Sequence, residues 1–454
     1  MTRARFDGFI LLLAGSAIFV ALGVAWERVS VVSMVDFKCV YYAARCVLEH
    51  SDPYNPDDSL RVYQSDHGDR ASDPAPIRKV VTLYIYFPTA LVLTAPFALL
   101  PWGIAHSLWM TLTAVSFIFA AFLMWDVGAE TAPVLSGALM CLLLAGSELL
   151  VEVGNPAGIA ISLCAIAVWC FLKERWVAAG ILCLAISLAV KPHVSGPVWL
   201  FFLLAGRAHR KRALQTLIVT AALSVPAVAW TASVAPHWTQ ELRANLAADA
   251  APGGFNDPGP ATIAVRDHAA SLISLQTAIS VFRNDPGFYN AVTYLICVPL
   301  MVIWAVAVWR SRPSPERDWL ALAAIAALSM LPIYHRQNDT RLILLAVPAC
   351  AVLWAERGAL RWLASAITAA GVLLTGDIPL QLLAILAGNL HVSIATLPGQ
   401  VVTILLARPA PLVLLLLGVF YLWIYLRRCF MKTEPPGDMA VEGVPSHPVT
   451  SGAL

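Results

Sequence analysis

Long apolar runs, each closed by a short polar or basic turn, dominate the chain. A run of roughly 20 apolar residues reads as a helix crossing a bilayer, because about that many are needed to span the hydrocarbon. Such segments fall near 9–27, 103–125, 133–151, 157–172, 176–190, 193–206, 211–231, 290–309, 319–333, 339–355, 362–378 and 408–426. Two further apolar stretches, 84–100 and 380–405, are too irregular to assign. The pattern predicts an all-α polytopic membrane protein with about 12–14 transmembrane helices, since helices satisfy their own backbone polar groups in lipid. The first run follows Arg3 and Arg5 and ends in Glu27-Arg28. No small-x-small cleavage site follows it, so it reads as an uncleaved first span and not as a signal peptide.

Basic turns orient these spans, because Lys and Arg stay cytoplasmic in short loops. The clusters are Arg207 to Arg212, Arg310-Ser-Arg312 with Arg317, Arg357 with Arg361, and Arg427-Arg428, with Lys173 and Arg175 in agreement. They place both termini in the cytoplasm. Two long connections, 29–83 and 232–289, and three short turns, 154–156, 191–193 and 334–339, then face outward. The parity closes only if 84–100 re-enters or another helix is divided. Residues 1–432 form one transmembrane domain on this reading. The Pro-rich tail 433–454 is expected to be disordered and cytoplasmic.

Composition supports the membrane class. The chain is 59% apolar and 13% charged, against about 45–50% and about 25% for soluble domains. A net charge of +2 and the lack of any basic stripe exclude nucleic acid as a partner. Six of the nine cysteines lie inside apolar runs, where a thiol behaves as a small hydrophobe. Cys39 and Cys46 are two helical turns apart, roughly 10 Å, too far to bridge. No CxxC pair or His-rich cluster suggests zinc, and neither a metal nor another cofactor is expected.

The informative residues are polar ones near membrane depth, and they gather at the outer face. Asp36 opens a stretch in which Phe37, Val40, Tyr41, Ala44, Val47 and Leu48 recur at helical spacing, which predicts an amphipathic helix along the surface. Asp36 is either its N-cap or a catalytic carboxylate. The roles compete, because N–H bonds to the carboxylate lower its basicity. Asp52-Pro53-Tyr54 reads as a closing turn and Tyr84-Ile-Tyr86-Phe-Pro88 as an interfacial aromatic belt. Lys191 ends an apolar span on the outer side, either snorkelling to headgroups or awaiting a phosphate. His335, Arg336, Asp339 and Arg341 form a second charged turn, for which an internal ion pair is the plain reading. Gly154-Asn155-Pro156 reads as a tight turn. Together these groups suit a ligand with an anionic head, a lipid tail and a sugar.

At these residues the chain resembles glycosyltransferase family 87, a group of GT-C membrane enzymes that includes polyprenyl-phosphate-mannose-dependent mannosyltransferases extending phosphatidylinositol mannosides. The resemblance rests on Asp36-Phe37, Tyr41-Tyr42, Asp52-Pro53-Tyr54 and Tyr86-Phe87-Pro88, with Pro96 and Leu100-Pro101 behind them. The Gly154-Asn155-Pro156 and Lys191-Pro192 turns and the late His335 follow in order. Phe87 stands where the pattern has a proline, and Asn155 where glutamine is usual. The resemblance implies a GT-C-type bundle with external amphipathic helices in a bacterial-type cell membrane. It implies inverting transfer of one sugar, mannose being expected, from a polyprenyl-phosphate donor to a lipid or glycan acceptor at the external face. Asp36 would be the general base. Lys191, His335 and Arg336 would hold the donor phosphate, and Tyr41, Tyr42, Arg45, Tyr54, Tyr86, Asn155 and His193 would line the substrate site. The rival class is a transporter or flippase for a lipid-linked sugar, which would carry its charges at mid-span along a pathway.

Overall fold

The computed structural model describes residues 2–67, 75–260, 272–356, 358–390 and 394–430; the tail 433–454 lies outside them. The chain starts with α1 (Arg3–Val29), and the first long connection folds into α2 (Val35–Leu48), α3 (Pro56–His67) and α4 (Ala75–Thr82). A 3-10 turn at Pro88–Ala90 leads into α5 (Leu91–Ala98), which has Pro96 inside it. Then come α6 (Trp102–Gly128), α7 (Pro133–Ala145), α8 (Leu149–Glu152), α9 (Ala157–Leu172), α10 (Val177–Val190), α11 (Pro192–Leu204) and α12 (Arg207–Val234). The second long connection holds α13 (Trp238–Ala250) and α14 (Leu275–Ile279). The chain continues through α15 (Pro286–Arg310), α16 (Pro315–Leu328), a 3-10 segment Gln337–Leu345 and α17 (Ala346–Trp354). It closes with α18 (Ala359–Leu374), α19 (Asp377–Asn389), α20 (Leu397–Ala407) and α21 (Pro409–Phe430).

The all-α polytopic class holds: among the described residues no strand forms beyond one isolated bridge, Leu272 to Arg336. Among the described residues six helices are long and apolar enough to cross a membrane: α1, α6, the α7–α8 run, α12, α15 and α21. A seventh span arises if α18 and the start of α19, bent by 73° at their junction, count as one. The other apolar segments are shorter. α9, α10 and α11 have 16, 14 and 13 residues. In α16, every residue from Asp318 to Leu328 is buried. α9 and α16 are apolar because they line the protein core, and sequence alone does not separate that cause from contact with lipid. The irregular stretch 84–100 resolves into the 3-10 turn and α5, and 380–405 into α19 and α20.

The outer shell is apolar outward. Leu295 on α15 and Ile218 and Val225 on α12 are among many large hydrophobics left exposed, as expected where lipid is the solvent. α1 lies directly against α7: a Cβ on Gly137 would meet the Gly8 carbonyl at 2.4 Å, so only glycine allows the approach. A large core cluster runs through α6, α7, α9, α16, α17 and α21. A second, smaller cluster sits at one end of the bundle, where α2 packs its Phe37, Tyr41 and Tyr42 against Trp109 of α6 and against the α3–α5 region. The aromatic body of α2 is thereby fixed by stacked rings, with Phe37 on Trp109 at 4.4 Å between centroids. Both long connections belong to this end: Asn245 of α13 donates to the Tyr54 and Tyr84 carbonyls at 3.0 and 3.1 Å.

Candidate active site

Asp36 lies in the first turn of α2 but does not cap it. The helix start is held by main chain: the N–H groups of Asp36 and Phe37 donate to the Val153 carbonyl, and that of Met34 to Glu152. The carboxylate is therefore released from the cap, and its Oδ2 accepts from Asn155 Nδ2 at 2.6 Å. Asn155 is itself fixed, since its Oδ1 accepts from Ala157 N–H at 2.8 Å at the start of α9. The turn carrying it presses on α2. Gly154 has φ +65°, Trp109 donates to its carbonyl at 2.8 Å, and a Cβ there would lie 2.8 Å from Phe37 Cβ. Gly154→Ala is expected to cost about 1–3 kcal/mol through left-handed strain alone. It should also lower turnover by shifting Asp36, read as a melting temperature and an initial rate.

Arg336 lies within electrostatic range of this carboxylate and of Asp249, Tyr86 and Tyr334. Its guanidinium stacks on Phe255 and forks onto Asn256 Oδ1 through Nε at 3.2 Å and Nη2 at 2.8 Å. Asn256 in turn donates its amide to Asp249. Its two ends are thus assigned by their partners, oxygen to the cation and nitrogen to the carboxylate. Burial raises the Asp249 carboxyl above the usual carboxylate range, against the pull of Arg336 and Asn256. The Arg336 backbone is pinned as well: Ile273 donates to the His335 carbonyl and Leu275 to Leu331, while Gln276 donates to Pro332 at 2.8 Å. Arg408 fastens the connection that carries Asn256, donating to the carbonyls of Pro258, Gly259 and Thr277.

Beside Arg336 lies a second group. Asp339 accepts from Lys191 Nζ at 3.0 Å, pairs with His335 Nδ1 at 3.2 Å, and accepts the Arg336 N–H at 3.1 Å. Lys191 is 5% exposed, so it neither snorkels nor stands as a free cation. The His193 ring lies 4.9 Å from that of His335. The Nε2 atoms of both are buried without a hydrogen-bond partner.

The residues named from sequence thus separate into groups. Asp36, Asn155, Tyr86 and Arg336 come together, and Lys191, His193 and His335 adjoin them through Asp339. Tyr54 supports Tyr86, donating to its carbonyl at 2.8 Å. Asp52 Oδ1 accepts the Tyr54 N–H at 2.8 Å, which is the turn read from sequence. Tyr41, Tyr42 and Arg45 have partners elsewhere: Tyr41 donates to Leu100 at 2.7 Å, Tyr42 to Asp66 at 3.1 Å, and Arg45 pairs with Glu49 and Asp66. Asp339, read from sequence as part of a charged turn with an internal ion pair, pairs with Lys191 and His335, whereas sequence reasoning missed Asp249 and Asn256 as parts of this centre. A signal existed for the first, because Leu242, Asn245 and Asp249 fall on the buried face of α13.

A carboxylate–cation centre at one end of an all-helical bundle with apolar outer faces is the kind of site a membrane enzyme carries. The chain belongs to glycosyltransferase family 87, whose model matches residues 84–334, more than half of it. It is a glycosyltransferase. Arg336 lies two residues beyond the matched segment and Asp36 lies 48 residues before it, while Tyr86, Asn155, Lys191 and Asp249 lie within it. No curated protein and no solved structure matches the chain.

Proposed function

We propose that this enzyme moves one sugar, mannose, from a polyprenyl-phosphate donor to a hydroxyl of a lipid or glycan acceptor, with inversion at the anomeric carbon, at the external face of a bacterial-type cell membrane. The observation that carries this reading is the release of Asp36 from its helix cap. Its Oδ2 is held by Asn155, and its side chain is only half-buried, which leaves Oδ1 for an incoming hydroxyl. As the acceptor oxygen attacks the anomeric carbon, Oδ1 takes its proton and the bond from that carbon to the phosphate oxygen breaks. The polyprenyl phosphate leaves as an anion and needs no proton, so one carboxylate suffices. Arg336 is the cation placed to receive the negative charge, and a guanidinium suits a phosphate's paired oxygens. Lys191 and His335 stand behind it through Asp339, and Tyr86 lines the approach. Asp249 and Asn256 hold the Arg336 fork before any ligand arrives.

The test uses purified enzyme in lipid with radiolabelled polyprenyl-phosphate-mannose and a lipid and glycan acceptor extract. Label is expected in the acceptor fraction, with the product anomer opposite to that of the donor. Transfer from a sugar nucleotide instead, or retention of the anomer, would overturn the proposal. A companion variant probes the base. Asn155→Asp places a second carboxylate within hydrogen-bond distance of Asp36, and like charges sharing a site raise the pKa of the pair. A base must be deprotonated to act, so the acidic limb of the rate profile should move to higher pH, with activity recovering as the pH rises. An unshifted acidic limb would remove Asp36 from that role.

A further inference from the structure

We propose that His193 and His335 bind a divalent transition-metal ion, with Asp339 orienting the His335 ring. Two buried imidazole Nε2 atoms without partners, on rings 4.9 Å apart, are the observation. Buried polar atoms are almost always paired, so two such atoms side by side point to a ligand between them. Ligating atoms of His193, His335 and Asp339 lie within 4.8 Å of one another. Nitrogens around a tetrahedral ion bound at 2.0–2.1 Å are ~3.3 Å apart, so the side chains must draw together to hold one.

Charge and tautomer favour a cation over an anion. Asp339 accepts from Lys191 Nζ and the Arg336 N–H, and the His335 tautomer that suits a carboxylate at Nδ1 is the one protonated there. That leaves the His335 Nε2 lone pair free, in the carboxylate–histidine arrangement that commonly backs a metal ligand. That lone pair accepts a cation and offers no donor to an anion. The Lys191 charge is cancelled by Asp339, and Arg336 lies within electrostatic range of Asp36 and Asp249. The imidazole pair therefore sits in a nearly balanced field. With two nitrogen ligands, the ion keeps open positions for water or a phosphate oxygen, which would make it a Lewis acid for the leaving group. That last role rests on the donor proposed above; binding of the ion does not.

The test is direct. Tag-free full-length protein, stripped with a chelator and titrated with Cu²⁺, should bind about one ion per chain, with electron paramagnetic resonance splitting from two imidazole nitrogens. Co²⁺ should give visible bands that Zn²⁺ displaces. His193→Asn and His335→Asn should each weaken binding at least 10-fold, and Asp339→Asn by 10–100-fold. Splitting from fewer than two imidazole nitrogens in the unmutated protein would overturn the site without relying on any variant. So would His variants that melt normally and bind as wild type does. Metal binding with no sugar transfer from any polyprenyl-phosphate donor would sustain the site and remove the donor reading alone.

Discussion

Asp36→Asn is expected to lower sugar transfer by 10²–10⁴-fold, the usual contribution of a positioned general base, while leaving the fold intact. The fold should survive because α2 does not depend on this side chain: its first-turn N–H groups are bonded to the Val153 and Glu152 carbonyls. The replacement keeps shape and volume and loses the proton acceptor. Binding of the acceptor should change little, so the loss should fall on kcat and not on KM. Initial rates with labelled donor, set beside melting curves in detergent, give the answer. A variant that melts normally and transfers within about threefold of wild type would return Asp36 to a structural role.

Asp377→Ala is expected to be the most damaging single change to stability, by about 3–5 kcal/mol, the usual cost of stripping one partner from a buried ion pair. Asp377 opens α19 at the 73° bend after α18 and is 1% exposed. One carboxylate there serves Arg341, Gln337 and the N–H of Leu149 at the start of α8. Its removal leaves the wholly buried Arg341 guanidinium with only the Thr375 carbonyl at 3.0 Å. The double change Asp377→Ala with Arg341→Met should recover a large part of that loss, since an apolar pair of similar volume can replace a buried ion pair. Melting temperatures of the single and double variants in one detergent decide it. A double variant no more stable than the single one would show that Arg341 does not carry the cost.

How far these features were legible in the sequence depends on distance along the chain. α1, α6, α12, α15 and α21 were readable because each is a long apolar run with polar ends. The number of true spans was not, because α16 and α17 are apolar for the sake of the core they fill. Asp36 was visible as a lone carboxylate opening an amphipathic helix. Its release from the cap was not, because the carbonyls that replace it come from residues 152 and 153. Lys191 was conspicuous as a cation at the wrong end of a span, but its partner Asp339 lies 148 positions away. Asn256 sat in a stretch readable only as a turn, and nothing local announces its bond to Arg336. The resemblance put Tyr41, Tyr42 and Arg45 in the substrate site, and their partners Leu100 and Asp66 lie far along the chain, where nothing in the sequence announces them.

The centre is drawn from both ends of the polypeptide, and that has a consequence for biosynthesis. Asp36, Asn155 and Asp249 leave the ribosome well before Arg336, the cation within electrostatic range of Asp36 and Asp249. At 5–20 residues per second, the roughly 300 residues between Asp36 and Arg336 take about 15–60 s to make. Throughout that interval the nascent chain holds two carboxylates at one end of a partly inserted bundle without their counter-charge. A chain halted before residue 331 would be left in that state, with Asn256 lacking its guanidinium and the second long connection lacking the Leu331 and His335 carbonyls it docks on. Arrested chains of graded length, probed with protease on either side of the membrane, should therefore show residues 251–260 becoming protected only once Arg336 has cleared the insertion machinery.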